Sequence, residues 1–491
     1  MYKTDTNKKT EKITLVTFFV IFILGMLIFS FHTSPFYPYS NKGDSALFTL
    51  VGQGISEGKT LYTDLFDHKG PMLFFIEALG YCIGNVFGIF LIQCLFGVIN
   101  LLFLCTTWKK INAYYKRPIT NLIFSFIGGY AMFFYTFQGG NLSEEFSLPF
   151  ISCCIYLFVS YAINVGTTPK HSYFYSFIYG VALMFLFLIR MNNAITVIAG
   201  IFSIFVYLLY RKEFKNLILN ILSGIAGCLI VALPVFLYFF LNSAVYDMLY
   251  ATFIYNFKYA SNVGYSNILL NPVKYVVLYL PLICSIWMIV LRIIKHKTSV
   301  AFLDVLTIVI VLMNGLCLFI ANQYPHYFTI YMPVFVLVLL QYQSFKLKSL
   351  KTIIIMLSII LNLYTALFSS LYAAYHTYVT RETSKEYQSV FSETRNIPTE
   401  ERVSVIGYNL PSQYYIYADI VPCYKYYTHH DWWSVSDPSI KSSFIEWLKK
   451  EEPLWLLTIP DEDDSDLLEI ISNKYVLESE NEYITLYRIG E

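Results

Sequence analysis

Charge is what this chain has least of. Only 14% of its 491 residues are Asp, Glu, Lys or Arg, against 56% hydrophobic, and the mean hydropathy is +0.54. That balance excludes an ordinary soluble domain and requires a polytopic membrane protein. An excess of either sign is also missing. With 34 basic and 33 acidic side chains, the net charge of +1 is a near-cancellation of separate regions and says nothing about a basic surface for nucleic acid or an acidic one for cations. Eight of the nine cysteines, Cys94, Cys105, Cys153 and Cys154 among them, fall in apolar runs where a thiol serves as a small hydrophobe. Cys423 is left alone in the polar C-terminal region, so no disulfide is expected there. No P-loop, no G-x-G-x-x-G and no G-x-S-x-G occurs, which removes support for ATP-driven transport and for esterase chemistry.

What is present is a series of apolar runs of spanning length. They lie at 13–31, 86–108, 119–137, 146–164, 173–189, 194–210, 216–241, 273–294, 300–321, 327–343 and 352–373, which makes about eleven transmembrane helices. The basic start MYKTDTNKKTEK precedes the first run, and no A-x-A site follows it, so an uncleaved first span is expected rather than a signal peptide. With a cytoplasmic N-terminus, 18 basic residues before residue 375 fall inside and 6 outside. The positive-inside rule favours that orientation with an odd number of spans. It also requires the apolar stretch Pro71 to Gly84 to be an interfacial or re-entrant half-helix rather than a crossing.

The carboxylates sort the other way. Asp44, Glu57, Asp64, Asp67, Glu77, Glu144, Glu145 and Asp247 are all expected outside or at the outer interface, with Arg190 in LIRMNNA. From about residue 376 the chain turns polar, with 21 acidic and 10 basic side chains. Residues 1–375 therefore read as a transmembrane domain and 376–491 as a small extracytoplasmic α/β domain. In the latter, RVSVIGY (402–408), LWLLTI (454–459) and YITLYRI (483–489) read as strands, and SFIEWLKKEE (443–452) and SDLLEIISNKY (465–475) as helices.

Four outer groups hold scarce chemistry: the 44–69 loop, NLSEEF (141–146), Arg190, and NQYPHYF (322–328) with His326 and Tyr327. Carboxylate, imidazole, ammonium and guanidinium at a membrane surface suit a reaction on a lipid phosphate, in which cations hold the phosphate and a carboxylate takes a proton from the acceptor. A sugar on a polyprenyl phosphate already has a good leaving group, so one carboxylate base could suffice if Lys or Arg stabilises the departing charge. Asp44, next to the flexible Gly43, is the expected base. The competing structural reading makes it a helix cap. Glu144 and Glu145 are adjacent and point about 100° apart on a helix, so one of them is expected to face the site. THHDWWS (428–434) could be a sugar platform or metal site but lacks a third ligand at a useful spacing. DEDDSD (461–466) lacks the glycine and glutamate of an EF-hand loop and reads as a solvated turn.

The pattern G-D-S-x-x-F at 43–48, then G-x-x-L-Y-x-D-x-F-D-H-K-G-P-M at 58–72, then an outward Glu in N-L-S-E-E, resembles the integral-membrane glycosyltransferases of the GT-C superfamily. These include the protein O-mannosyltransferases, the lipid A aminoarabinose transferases and bacterial mannosyltransferase-like relatives. The resemblance implies a GT-C-like all-α membrane domain with juxtamembrane helices on the outer face. It also implies an inverting transfer from a polyprenyl-phosphate sugar outside the cytoplasm. Asp44 matches the family's first-loop acid, and His68, Lys69 and Pro71 match its second element. Ser45 stands where many members have a second acid, and Gly70 replaces the first proline of a pair.

The combined expectation is a glycosyltransferase of the plasma membrane, acting on a cell-surface glycan, teichoic-type polymer or protein. Asp44 would be the base, and Lys69, Arg190 and His326 would hold the donor phosphate. Asp67, His68, Glu144, Glu145 and Tyr327 would support them. The expected partners are the polyprenyl-phosphate sugar, the acceptor and the bilayer. No resident cofactor and no protein-held metal is expected, although a divalent ion stays open. The alternatives are a transporter of polysaccharide or lipid-linked sugar, or an inactive relative acting in assembly; a transporter should show repeated halves and mid-membrane charges, which the sequence lacks.

Overall fold

A computed structural model describes residues 2–116, 119–261, 272–295, 301–320, 324–342 and 350–490. Of the residues read as inner charges, Arg117, Lys297, Lys346 and Lys348 lie outside the described residues, as do Asn322 and Gln323 of the NQYPHYF loop. Among the described residues nine helices are long and apolar enough to cross a membrane, from Thr10–Phe29 to Thr352–Thr380. Two expected spans are shorter. One is the helix Tyr173–Ile189; the other is a 3-10 segment, Pro325–Tyr331, running into an 11-residue helix, Met332–Tyr342. Every residue of that last helix is buried, so its all-round apolar sequence is matched by protein neighbours. The chain is a multi-pass, mainly helical membrane protein.

The helix Pro71–Tyr115 contains the expected half-helix and the span after it, joined by a break. Gly84 and Asn85 leave helical geometry, and Asn85 takes a left-handed φ of 53°. The two arms approach so closely that a Cβ on Gly88 would fall 2.0 Å from the Gly80 carbonyl oxygen. Only glycine fits there.

Two compact units cut across the sequence. The first comprises 1–30, 92–235 and 265–370. Its core stacks Phe18 on Phe126 (4.8 Å between centroids) and Phe29 on Phe134 (4.4 Å), while Tyr130 donates to the Phe18 carbonyl at 2.8 Å. Buried amides stitch neighbouring helices: Asn121 Nδ2 donates to the Leu339 carbonyl (3.2 Å), and Asn314 Nδ2 to Thr196 Oγ1 (3.0 Å). In an apolar surrounding such bonds fix register, because the unpaired alternative is costly.

The second unit comprises 31–91, 236–264 and 371–491. It holds one four-stranded sheet in the order β1-β2-β4-β3, with β1 Val405–Gly407, β2 Trp455–Thr458, β3 Tyr475–Glu480 and β4 Thr485–Ile489. β1 and β2 are parallel, with Val405 opposite Trp455; β4 runs antiparallel to β2 and β3. The three expected strands are β1, β2 and β4, and the expected helices are Ser439–Glu451 and Ser465–Lys474. Strand β3 and the helices Glu382–Thr394, Ser412–Ala418 and His430–Ser436 were not expected. β3 is an edge strand with both faces largely solvated, so it carries no hydrophobic alternation. Residues of the 31–91 segment pack into this unit: Phe66 lies 5.1 Å from Trp433, 5.2 Å from Tyr426 and 5.5 Å from Tyr255. Its amide donates to the Lys425 carbonyl at 3.0 Å.

Candidate functional site

In the second unit, Asp44 sits in the first turn of the helix Gly43–Ser56, with Gly43 at a left-handed φ of 59°. The N-cap is Lys42, with extended backbone and no side-chain capping bond, so Asp44 does not cap this helix; its side chain is exposed. A carboxylate in the first turn is also favoured by the helix dipole.

The second element forms a row of three. Asp67 is 2% exposed and His68 8% exposed. Asp67 Oδ1 accepts from the His68 amide at 2.5 Å and lies 3.0 Å from His68 Nδ1. On the far side of the ring, Lys69 Nζ stands 3.1 Å from His68 Nε2. An ammonium only donates, so Nε2 must accept and the proton belongs on Nδ1, facing Asp67. The backbone is pinned as well: Tyr62 Oη donates to the Lys69 carbonyl (2.7 Å), and Asn256 Nδ2 donates to the His68 carbonyl (2.7 Å). Burial works against the charge of Asp67, but Lys69 and His68 outweigh it and hold its carboxyl down to about 2. For His68, burial and the Lys69 charge push the imidazole below its ordinary value, opposed by Asp67 and, more weakly, by Asp44. The row is therefore an ionised Asp, a neutral His and a charged Lys, with the Asp44 carboxylate in electrostatic range. Asp67 Oδ2 is buried without a hydrogen-bond partner, and His68 Nδ1, although 3.0 Å from Asp67 Oδ1, is not aligned for a hydrogen bond.

Aromatic rings close over this row. His68 lies 5.4 Å from Tyr255, 5.6 Å from Tyr259 and 5.7 Å from Trp432, centroid to centroid. Asn256, Tyr255 and Tyr259 escaped the sequence reading because they sit on a helical stretch with no acid or motif beside them. The THHDWWS segment is partly absorbed into structure. His430 is buried, accepting from the Asn409 amide at Nδ1 (3.0 Å) with Nε2 3.0 Å from the Tyr426 carbonyl, and Trp433 is 1% exposed. In DEDDSD, Asp464 caps the helix Ser465–Lys474 by accepting from the Leu467 amide at 3.1 Å and pairs with Lys441. Among the described residues no group of three His, Cys, Asp or Glu side chains is placed to hold a metal ion.

The other expected residues form a second cluster within the first unit. Arg190 donates to Glu144, and its guanidinium lies 3.6 Å from the Tyr327 ring centroid. Glu144 is buried, with Oε2 unpartnered. Glu145 turns elsewhere, accepting from Gln93 Nε2 (2.8 Å) and from the Leu142 amide (3.0 Å). Adjacent acids thus take separate partners, as their angular offset requires. His326 Nδ1 lies 3.2 Å from Gln138 Oε1, with its ring 4.6 Å from Tyr327. Asp44, Asp67, His68 and Lys69 are thus brought together in one unit, and Glu144, Glu145, Arg190, His326 and Tyr327 belong to the other.

A family model described as the putative competence-induced protein Ccs4 N-terminal domain matches residues 5–350. Among curated proteins, none matches the sequence. Among solved structures the chain is similar to ArnT from Cupriavidus metallidurans bound to undecaprenyl phosphate, with a TM-score of 0.55 at 9% identity, covering 96% of this chain and 97% of that one. The apo form of the same protein gives 0.53 at 10% identity with the same coverage. The Archaeoglobus fulgidus oligosaccharyltransferase, tethered to an acceptor peptide, gives 0.50 at 11% identity, covering 97% of this chain and 74% of that one. The fold is that of the GT-C membrane glycosyltransferases.

Proposed function

The chain belongs to the family of the putative competence-induced protein Ccs4 N-terminal domain, and from that premise and the geometry of residues 44–69 we propose that it transfers a sugar from a polyprenyl-phosphate donor to an acceptor at the extracytoplasmic face of the plasma membrane. The donor class follows the GT-C neighbours, one of which was solved with undecaprenyl phosphate bound. The acceptor class is a cell-surface glycan, teichoic-type polymer or protein.

In this reading Asp44 takes the proton from the acceptor hydroxyl as its oxygen attacks the anomeric carbon. The bond from that carbon to the phosphate oxygen breaks, and the polyprenyl phosphate leaves with the electron pair. Attack from the face opposite the leaving group inverts the anomeric centre. Lys69 receives the phosphate, and its ammonium offsets the departing charge. Asp67 and His68 position Lys69, whose ammonium donates a hydrogen bond to Nε2 of the neutral imidazole. No resident cofactor is required, since a phosphate monoester departs without a general acid. Arg190, which shares its guanidinium with Glu144, and His326 belong to the first unit's own cluster and are given no step in this reading.

The observation that carries the reading is an exposed carboxylate at a helix head within electrostatic range of His68, the imidazole whose Nε2 stands 3.1 Å from the Lys69 ammonium. Replacing Asp44 by Asn keeps the volume and removes the base. Transfer of labelled sugar in membranes is expected to fall about 100- to 10,000-fold with the amount of folded protein unchanged. Wild-type rates in D44N would overturn the mechanism.

A further inference from the structure

Two adjacent tryptophans in the helix His430–Ser436 have opposite fates. Trp433 is 1% exposed and packs against Phe66, Tyr426 and Tyr427. Trp432 is 45% exposed. It is not merely left over on the surface, for it stands 5.6 Å from Tyr259, 5.7 Å from His68 and 6.2 Å from His429. The interplanar angles to Tyr259 and His68 are 53° and 41°, so neither ring lies flat on the indole. Leaving that much indole in water costs free energy unless something covers it.

The chemistry around it narrows the occupant. The platform abuts His68, the middle member of the row that ends in Lys69, and Asp67 Oδ2 is a buried acceptor without a donor. Asp431, the residue before Trp432, is engaged elsewhere, by Asn409 Nδ2 at 2.6 Å, Tyr408 Oη at 3.3 Å and Lys441 at 4.0 Å. A half-exposed indole flanked by a tyrosine and an imidazole matches a molecule with an apolar C–H face and a polar rim.

We propose that Trp432, with Tyr259, forms a stacking platform for a pyranose ring at the transfer site. The inference deepens the glycosyltransferase reading and rests on it: the ring belongs to the donor's sugar or to a sugar at the end of the acceptor. Trp432 is a substrate-positioning residue and takes no part in proton transfer.

The test uses the full chain in nanodiscs, titrated with bare undecaprenyl phosphate, with undecaprenyl-phosphate mannose and glucose, and with a panel of methyl pyranosides. Trp432→Ala is expected to lose at least tenfold of the affinity for sugar-bearing probes while binding bare undecaprenyl phosphate as the wild type does; Trp432→Phe restores most of the loss. If the loss appears as the vanished advantage of sugar-bearing over bare lipid, the ring is the donor's. If it appears with free pyranosides, it is the acceptor's. Equal sugar binding by W432A and wild type overturns the platform, as does a wild type that binds none of the sugar probes. Loss of bare lipid binding in W432A also overturns it, because Trp432 would then be structural. Failure of the donor reading shows separately, as bare undecaprenyl phosphate that fails to bind or that binds Lys69→Ala undiminished.

Discussion

At the scale of single residues, the Asp67-His68-Lys69 row has consequences that differ from those of a surface charge cluster. Asp67 is a buried carboxylate beside a neutral imidazole, and leaving a buried polar group without its partner costs about 1–3 kcal/mol. Asp67→Asn should therefore lower the melting temperature of the protein in nanodiscs as well as weaken lipid phosphate binding, whereas Asp44→Asn, at an exposed position, should leave the melting temperature within a degree or two. The pH dependence has a definite sign. Asp67 ionises more easily folded than unfolded, so its stabilisation is present above the unfolded value of 3.8 and is lost as the pH falls towards about 2. His68 is shifted down by burial, so the unfolded chain takes up its proton first and stability declines as the pH drops below 6.5. The melting temperature should thus be flat near pH 7–8 and fall steadily on acidification, and His68→Gln should make that fall shallower, with His429 and His430, also held below the ordinary imidazole value by burial, supplying the rest. These residues were legible in the sequence because charges are rare in this chain and an HK pair before G-P stands out. Their order of contact was not legible, since nothing in a string says that Nε2 faces Lys69 and Nδ1 faces Asp67.

At the scale of elements, hydrophobic run length located the membrane helices well. The half-helix from Pro71 was legible because fourteen apolar residues are too few to cross. What the runs could not convey is how tightly its two arms meet. Gly88→Ala must push a Cβ into the Gly80 carbonyl, whereas Gly84 has nothing within 4 Å of the same addition and is not left-handed. Gly88→Ala is expected to destabilise by about 1–3 kcal/mol and Gly84→Ala by less than about 0.5 kcal/mol, readable in parallel thermal melts. The 11-residue helix Met332–Tyr342 shows the converse case: an apolar run shorter than a bilayer crossing is placed by neighbours rather than by length. In the C-terminal region, strands with clear alternation were legible. The solvated edge strand β3 and the seven-residue helices around Tyr414 and Trp433 were not, because each is held by tertiary packing rather than by local pattern.

At the scale of the whole molecule, the orientation proposed from the basic residues can be checked directly. In a cysteine-free background, a membrane-impermeant maleimide applied to intact cells should label Glu57→Cys and spare Lys110→Cys and Lys212→Cys; the reverse pattern would invert the proposed topology and move the site to the cytoplasm. Composition and periodicity made the membrane class plain. They could not reveal that residues 31–91 share a compact unit with residues 371–491, because that pairing depends on contacts between distant positions. Lys42 pairs with Glu386, Ser40 bonds Thr377 across 337 residues, and Tyr39 stacks on Tyr387 at 3.9 Å.

That last arrangement sets a clock on biosynthesis. The segment bearing Asp44 and Lys69 leaves the ribosome early, while the residues it packs against follow more than three hundred positions later. At ordinary elongation rates the interval is on the order of tens of seconds. Through that interval the buried ring of Phe66 waits without Tyr426 and Trp433, so the nascent chain is exposed to quality-control proteases and chaperones at the membrane surface. A chain ended after Thr380 should leave that window open permanently and accumulate as a rapidly degraded protein, with a half-life in pulse-chase far shorter than that of the full chain.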